Sequence, residues 1–223
     1  MSMKLIAEGI IKFLSGLIIV GSLLFIPAGT LQYYNAWLFI GLLFVPMFIV
    51  GVILIMKNPE LLKKRLNAKE NENQQKFVIA ISGIMFIAGF IIAGLNFKYK
   101  WIVLPDIVTI ISSIIFIIAY ILYAEVLREN TYLSRTIEVQ DNQKVIDTGL
   151  YGRVRHPMYA VTIFLFLSIP LILGSLISFI IFMIYPIIIA KRIKNEEIVL
   201  EESLNGYKEY KNKVKHKLIP FIW

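Results

Sequence analysis

The chain has 223 residues, 58% of them apolar and 17% charged, whereas soluble domains carry about a quarter charged residues. It has no cysteine and two histidines, His156 and His216, which excludes disulfides and thiolate chemistry and argues against a metal centre. The formal charge is +8, and the positions of the basic residues decide how to read it.

Six apolar stretches run along the chain, roughly Phe13 to Ala28, Ala36 to Met56, Phe77 to Phe97, Ile107 to Leu127, Met158 to Ile172 and Ser175 to Ala190. A bilayer crossing needs about 20 apolar residues. The sequence therefore predicts an all-α polytopic membrane protein with about six transmembrane helical segments. Lys4 and Lys12 precede the first stretch in the manner of a signal peptide, but no small-residue cleavage site follows and a second span comes soon after. The last two stretches form one apolar block from Pro157 to Ala190, too long for a single crossing. Pro170, Gly174 and Ser175 supply the break, so a short helical hairpin is expected there.

The connections carry the charge unevenly. The N-terminus, the segment 57–76, the segment 128–156 and the tail 191–223 hold 21 of the Lys and Arg residues, and the alternate connections hold only Lys98 and Lys100. By the positive-inside rule both termini are cytoplasmic. The net charge is thus a topology signal, and no nucleic-acid partner is expected. Within the cytoplasmic part, Thr131 to Gln140 alternates and is rich in β-formers. Asp141 to Lys144 reads as a turn and Val145-Ile146 follows, which predicts a small loop or β-hairpin. From Lys191 the tail reads as an amphipathic helix continuing the sixth stretch. Residues 1–127 are read as a region of four membrane helices and 128–223 as the region able to do chemistry.

Two segments stand out in that second region. The first runs Gly149-Leu150-Tyr151-Gly152-Arg153-Val154-Arg155-His156-Pro157-Met158-Tyr159. Pro157 is expected to open a helix, with Arg155 and His156 at its mouth beside free backbone N–H groups. That makes an anion-binding corner, although basic and aromatic residues also anchor helices at membrane surfaces. The second is Lys191-Arg192-Ile193-Lys194-Asn195-Glu196-Glu197. Arg192 and Glu196 share a helix face, which fits an ordinary i,i+4 ion pair as well as a site. Tyr207 and Tyr210 are three apart and fit packing. On the residues alone both readings of each segment stand.

Taken together and in this order, Arg155-His156-Pro157-Met158-Tyr159, Glu196-Glu197 and Gly206-Tyr207-Lys208-Glu209-Tyr210 resemble the isoprenylcysteine carboxyl methyltransferase family. Asn130-Thr131-Tyr132-Leu133-Ser134, Gly149-Leu150-Tyr151 and Ile219-Pro220-Phe221 also fit, so the resemblance covers about residues 130–223. It implies a membrane-embedded methyltransferase that binds S-adenosylmethionine from the cytoplasm. The residues it implies around the cofactor are Gln140, Gln143, Lys144, Val145, Ile146, Tyr151, His156, Pro157, Met158, Tyr159 and Glu196. The chemistry of the cofactor's carboxylate adds Arg155. The resemblance also places Arg192, one helical turn before Glu196, against the methyl acceptor. Leu150 departs from the pattern, since many relatives carry proline there.

The implied acceptor is lipophilic or membrane-accessible: a carboxylate such as that of a prenylated cysteine is the family's namesake, and a lipid amine or a small thiol is the alternative, since related membrane methyltransferases resemble one another around the cofactor. A carboxylate is already ionised, so alignment and desolvation suffice and no general base is required. Two other classes compete. Sterol reductases share part of this architecture and use a nicotinamide cofactor, but the chain has no Gly-x-Gly-x-x-Gly fingerprint. A transporter or assembly protein is the non-catalytic alternative, and the near absence of charge within the spans counts against transport.

Overall fold

The computed structural model describes residues 3–66, 73–133, 139–140 and 142–223. Among these the chain forms helices and no strand. The helices are α1 (Met3–Ala28), α2 (Tyr34–Lys57), α3 (Pro59–Leu66), α4 (Asn73–Tyr99), α5 (Asp106–Glu129), α6 (Pro157–Ile172), α7 (Leu176–Phe182), α8 (Tyr185–Ser203) and α9 (Tyr207–Lys213). Among the described residues five runs are long and apolar enough to cross a bilayer: Leu5–Ala28, Tyr34–Lys57, Lys76–Tyr99, Asp106–Glu129 and Leu176–Ser203. The chain is a multi-pass membrane protein.

Five such runs stand against the six expected, and the difference lies in the fifth stretch, the first arm of the hairpin. Helix α6 has 16 residues, about 24 Å at 1.5 Å per residue, and falls short of a hydrocarbon core about 30 Å thick. Its partner is not short: α7 and α8 run on through Met183 and Ile184 as a 28-residue segment, about 42 Å long, so it leaves the core and continues beyond it. The tail is not one amphipathic helix either. Helix α8 ends at Ser203, Gly206 takes a left-handed turn at φ 84°, and the short α9 follows. The expected β-hairpin falls partly on residues 134–138 and 141, outside the described residues. The described residues flanking them, 131–133, 139–140 and 142–146, form turns and irregular backbone.

Local chemistry sets the helix ends. Asn58 accepts from the Leu61 N–H at 3.1 Å and caps α3. Pro157 stands in the first turn of α6, where its missing N–H costs nothing. Gly174, at φ 72°, reverses the chain at the hairpin tip, and Ser175 then caps α7 by accepting from Ser178 N–H at 3.2 Å.

That tip ends inside the bundle, so its carbonyls need protein donors. Tyr33 Oη donates to Leu173 O at 2.5 Å, Asn35 Nδ2 to Ile172 O at 2.8 Å and Asn96 Nδ2 to Gly174 O at 3.3 Å. These donors come from the start of α2 and the end of α4. The α1–α2 and α4–α5 connections therefore meet the hairpin tip at one end of the bundle. At the other end Lys12 Nζ bonds Leu66 O at 2.6 Å, and Lys64 Nζ bonds Gln140 Oε1 at 2.5 Å. The connections thus segregate as the charge alternation requires.

Close helix approach depends on glycine at two places. A Cβ at Gly89 would lie 2.2 Å from Phe182 Cε2, and one at Gly94 would lie 2.6 Å from Leu24 O. Ser178 Oγ donates to Gly89 O at 2.8 Å across the first contact. An aromatic cluster fills the space around it: Phe86 lies 4.8 Å from Phe166 and 5.2 Å from Phe182, centre to centre. One apolar core runs from Leu24 in α1 to Leu218 in the tail, and it fixes the bundle end that carries the site.

Candidate active site

At the end of the bundle where α6 begins, three pieces of chain line an open cavity. The loop after α5 gives Asn130, Tyr132, Leu133, Gln143, Lys144, Val145, Ile146 and Tyr151. The start of α6 gives Arg155, His156, Met158 and Tyr159, and α8 and α9 give Arg192, Glu196, Leu200, Leu204, Tyr207 and Tyr210.

Of the residues expected from the sequence, all but Gln140 and Pro157 line this space. Gln140 stands behind the wall, where its Nε2 donates to Tyr132 O at 2.6 Å. Its backbone N–H donates to Gln143 Oε1 at 2.9 Å. Pro157 is buried and opens α6.

Tyr159 joins the two α8 residues. Arg192 Nε donates to Tyr159 Oη at 2.8 Å, and Tyr159 Oη donates to Glu196 Oε2 at 2.5 Å. The pair that sequence spacing placed on one helix face is therefore bridged by a tyrosine from α6, and all three side chains are drawn to the cavity wall. The ring of His156 stacks on that of Tyr159 at 5.8 Å.

The second glutamate does something else. Glu197 is 5% exposed. Its Oε1 accepts from Arg155 Nε at 2.7 Å and lies 3.2 Å from His156 Nε2, and Lys217 Nζ sits 3.1 Å from Oε2. Arg155 Nη1 also donates to Val214 O and Lys215 O, at 2.7 and 2.8 Å. A buried carboxylate is tolerable only when paired and hydrogen-bonded in this way. The cluster clamps the tail onto the mouth of α6. The backbone N–H groups of Arg155 and His156 donate to His216 O and Lys217 O, each at 2.9 Å, while Tyr159 and Ala160 N–H return to His156 O. The free N–H groups expected at that helix start are thus largely taken, because the tail folds back over them.

The loop wall has its own support. Gly149, at φ 55°, turns against Glu129; a Cβ there would lie 1.7 Å from Glu129 Oε1. Glu129 accepts from the Leu150 N–H at 3.0 Å. The departure from proline at 150 thus supplies a donor that proline lacks. Glu125 and Arg128, by contrast, pair with each other on an exposed helix end.

Besides Asn130, Tyr132 and Leu133 on the loop wall, sequence reasoning left out of the site Leu200, Leu204, Tyr207 and Tyr210, which form the apolar side. Leu200 and Leu204 follow Glu196 at four-residue steps on one helix face, a signal that was available. The tyrosines reach the cavity only because Gly206 turns the chain, which spacing alone does not reveal. Burial raises the phenols of Tyr151, Tyr207 and Tyr210 above their ordinary range, so they stand as neutral hydroxyls. Tyr210 Oη donates to Tyr151 O at 2.7 Å. Tyr207 Oη is buried and has no partner, a distinction it shares among the described residues with Asn195 Nδ2. Among the described residues no cluster could hold a metal ion.

A multi-pass helical bundle with a polar-and-apolar cavity at its end is the class that fold and site define. Within it, residues 110–202, from inside α5 to the last turn of α8, match the model of the isoprenylcysteine carboxyl methyltransferase (ICMT) family. The resemblance seen in the sequence holds over that stretch, which contains every residue expected at the site. No curated protein matches the chain.

The lining suits S-adenosylmethionine, the methyl donor generally used by methyltransferases. Glu196 keeps one carboxylate oxygen beyond its bond to Tyr159, fit for an ammonium or a ribose hydroxyl. Val145, Ile146, Leu200 and Leu204 offer an apolar surface for a purine. The orphaned Tyr207 hydroxyl costs free energy until something pairs with it.

Proposed function

We propose that the protein transfers a methyl group from S-adenosylmethionine to a lipophilic or membrane-accessible acceptor, with the site on the cytoplasmic side. The observation that carries this reading is the convergence of His156, Tyr159, Arg192 and Glu196 on one cavity at the bundle end, inside a segment with the family's pattern. The charge asymmetry of the connections supports the cytoplasmic orientation.

The cofactor supplies an electrophilic methyl group on a sulfonium centre. The chain's residues bind, orient and exclude water. Glu196 receives a cationic or hydroxyl group of the ligand, while Val145, Ile146, Leu200 and Leu204 keep the nucleoside end dry. Arg192, held by Tyr159 at the cavity wall, orients the acceptor. A carboxylate acceptor fits this arrangement, because a planar fork can hold both of its oxygens. Alignment of the reacting atoms then provides the rate, with no proton to remove. The supporting test incubates the purified protein with methyl-labelled cofactor and a lipid extract. Label entering the organic phase is expected with the native chain and is lost with Arg192→Ala. Equal labelling by both proteins overturns the role of Arg192, and no labelling from any acceptor mixture counts against the reaction.

A further inference from the structure

Residues 217–223 close a small loop on the tail. The N–H groups of Lys217, Leu218 and Ile219 donate to Trp223 O at 2.9, 2.9 and 3.2 Å. Lys217 Nζ lies 5.2 Å from the centre of the Trp223 ring.

Two observations fix the level of this loop. Leu218 is 7% exposed and packs into the same apolar core as the membrane helices. His216 and Lys217 carbonyls accept from Arg155 and His156, the two residues before α6. Helix α6 is apolar from its first turn, so its start marks where the bundle leaves the hydrocarbon region. The loop is rooted at that boundary.

From this root the loop turns its apolar side chains outward. Phe221 is 93% exposed, Ile222 77% and Ile219 41%. Lys208 and Lys215 are exposed on the same tail, whereas Lys211, Lys213 and Lys217 pair with Glu201, Asp147 and Glu197. An apolar tip set beside basic residues at the edge of a bilayer has the chemistry of an interfacial anchor: the tip enters the acyl boundary and the lysines meet anionic headgroups.

We infer that residues 219–223 insert into the bilayer interface on the side of the cavity, drawn there by anionic lipid. The consequence reaches the site through geometry already described. Lys217 and Arg155 both hold Glu197, and the tail carbonyls hold the start of α6, so the lipid surface becomes the outer support of the cavity wall. This inference is independent of the reaction proposed above.

The chain lacks cysteine, so a single nitroxide can be placed at Ile222→Cys in the full-length protein. The protein is reconstituted in nanodiscs of phosphatidylcholine, with and without phosphatidylglycerol. Collision of the label with oxygen is then compared with collision with a water-soluble nickel chelate. Oxygen is expected to dominate at position 222, and more so with phosphatidylglycerol present. A label at Glu209→Cys, on the exposed face of α9, is expected to favour nickel. Dominant nickel collisions at position 222 overturn the insertion. A label shielded from both reagents overturns it too, since protein rather than lipid then covers the loop. An oxygen excess indifferent to phosphatidylglycerol overturns the part assigned to the lysines.

Discussion

At the scale of single residues, neighbouring side chains in this site divide the labour. Glu196 and Glu197 are adjacent in sequence, yet one lines the cavity and the other is 5% exposed in a clamp with Arg155, His156 and Lys217. Replacing Glu197 by alanine leaves Arg155 buried without its carboxylate. It is expected to cost about 3–5 kcal/mol of stability, read from thermal unfolding in detergent. Tyr207 and Tyr210 make a similar contrast. Tyr210→Phe deletes a bond to Tyr151 O and is expected to cost about 1 kcal/mol in the ligand-free protein. Tyr207→Phe deletes a hydroxyl that has no partner. It is expected to leave ligand-free stability unchanged or higher while weakening S-adenosylhomocysteine about tenfold; calorimetric titration beside a melting curve reads both. Arg192→Ala is expected to leave cofactor affinity nearly native and lower single-turnover methyl transfer by about 10²-fold, with lysine a poor substitute. Much of this site was legible in the sequence, because the His-Pro-x-Tyr and Glu-Glu groups fall at the two ends of one helical hairpin. The hydrogen-bond partners were not. Helix spacing pairs Arg192 with Glu196 but says nothing of the Tyr159 hydroxyl between them, since a contact 33 positions away belongs to tertiary packing.

At the scale of elements, hydropathy located the helices because lipid leaves little choice: backbone groups in the hydrocarbon must be satisfied within helices. The short α6 and its break at Gly174 follow from the same sequence. What hydropathy does not register is how the hairpin tip survives inside the bundle. Its carbonyls depend on Tyr33, Asn35 and Asn96, three polar residues scattered over two helix ends. Removing two of these donors, as Tyr33→Phe with Asn96→Leu, is expected to lower stability by about 1–3 kcal/mol. It is also expected to admit protease cleavage near Gly174, seen as a new fragment on limited digestion. A native digestion pattern from the double variant would show that the tip finds other partners. The continuation of α8 past Lys191 was legible in the sequence; its end at Ser203 and the left-handed turn at Gly206 were not.

For the whole molecule, the charge split and the structure agree on which connections share an end, and the positive-inside rule then sets direction. Cysteines at Gln32 and Lys208 sit at opposite ends of the bundle. An impermeant maleimide applied to intact cells is expected to label Gln32→Cys and spare Lys208→Cys; the reverse pattern would invert the topology and move the cavity outside. The central claim concerns what that cavity holds, and equilibrium binding in nanodiscs tests it most directly. The native protein and Glu196→Gln are titrated with S-adenosylhomocysteine and, separately, with a reduced nicotinamide dinucleotide. The native chain is expected to bind S-adenosylhomocysteine and not the dinucleotide, and Glu196→Gln to bind the former about tenfold or more weakly, the loss of a charge-assisted bond. Binding of the dinucleotide in place of S-adenosylhomocysteine, or S-adenosylhomocysteine affinity indifferent to Glu196, would contradict a methyl-donor site at this position.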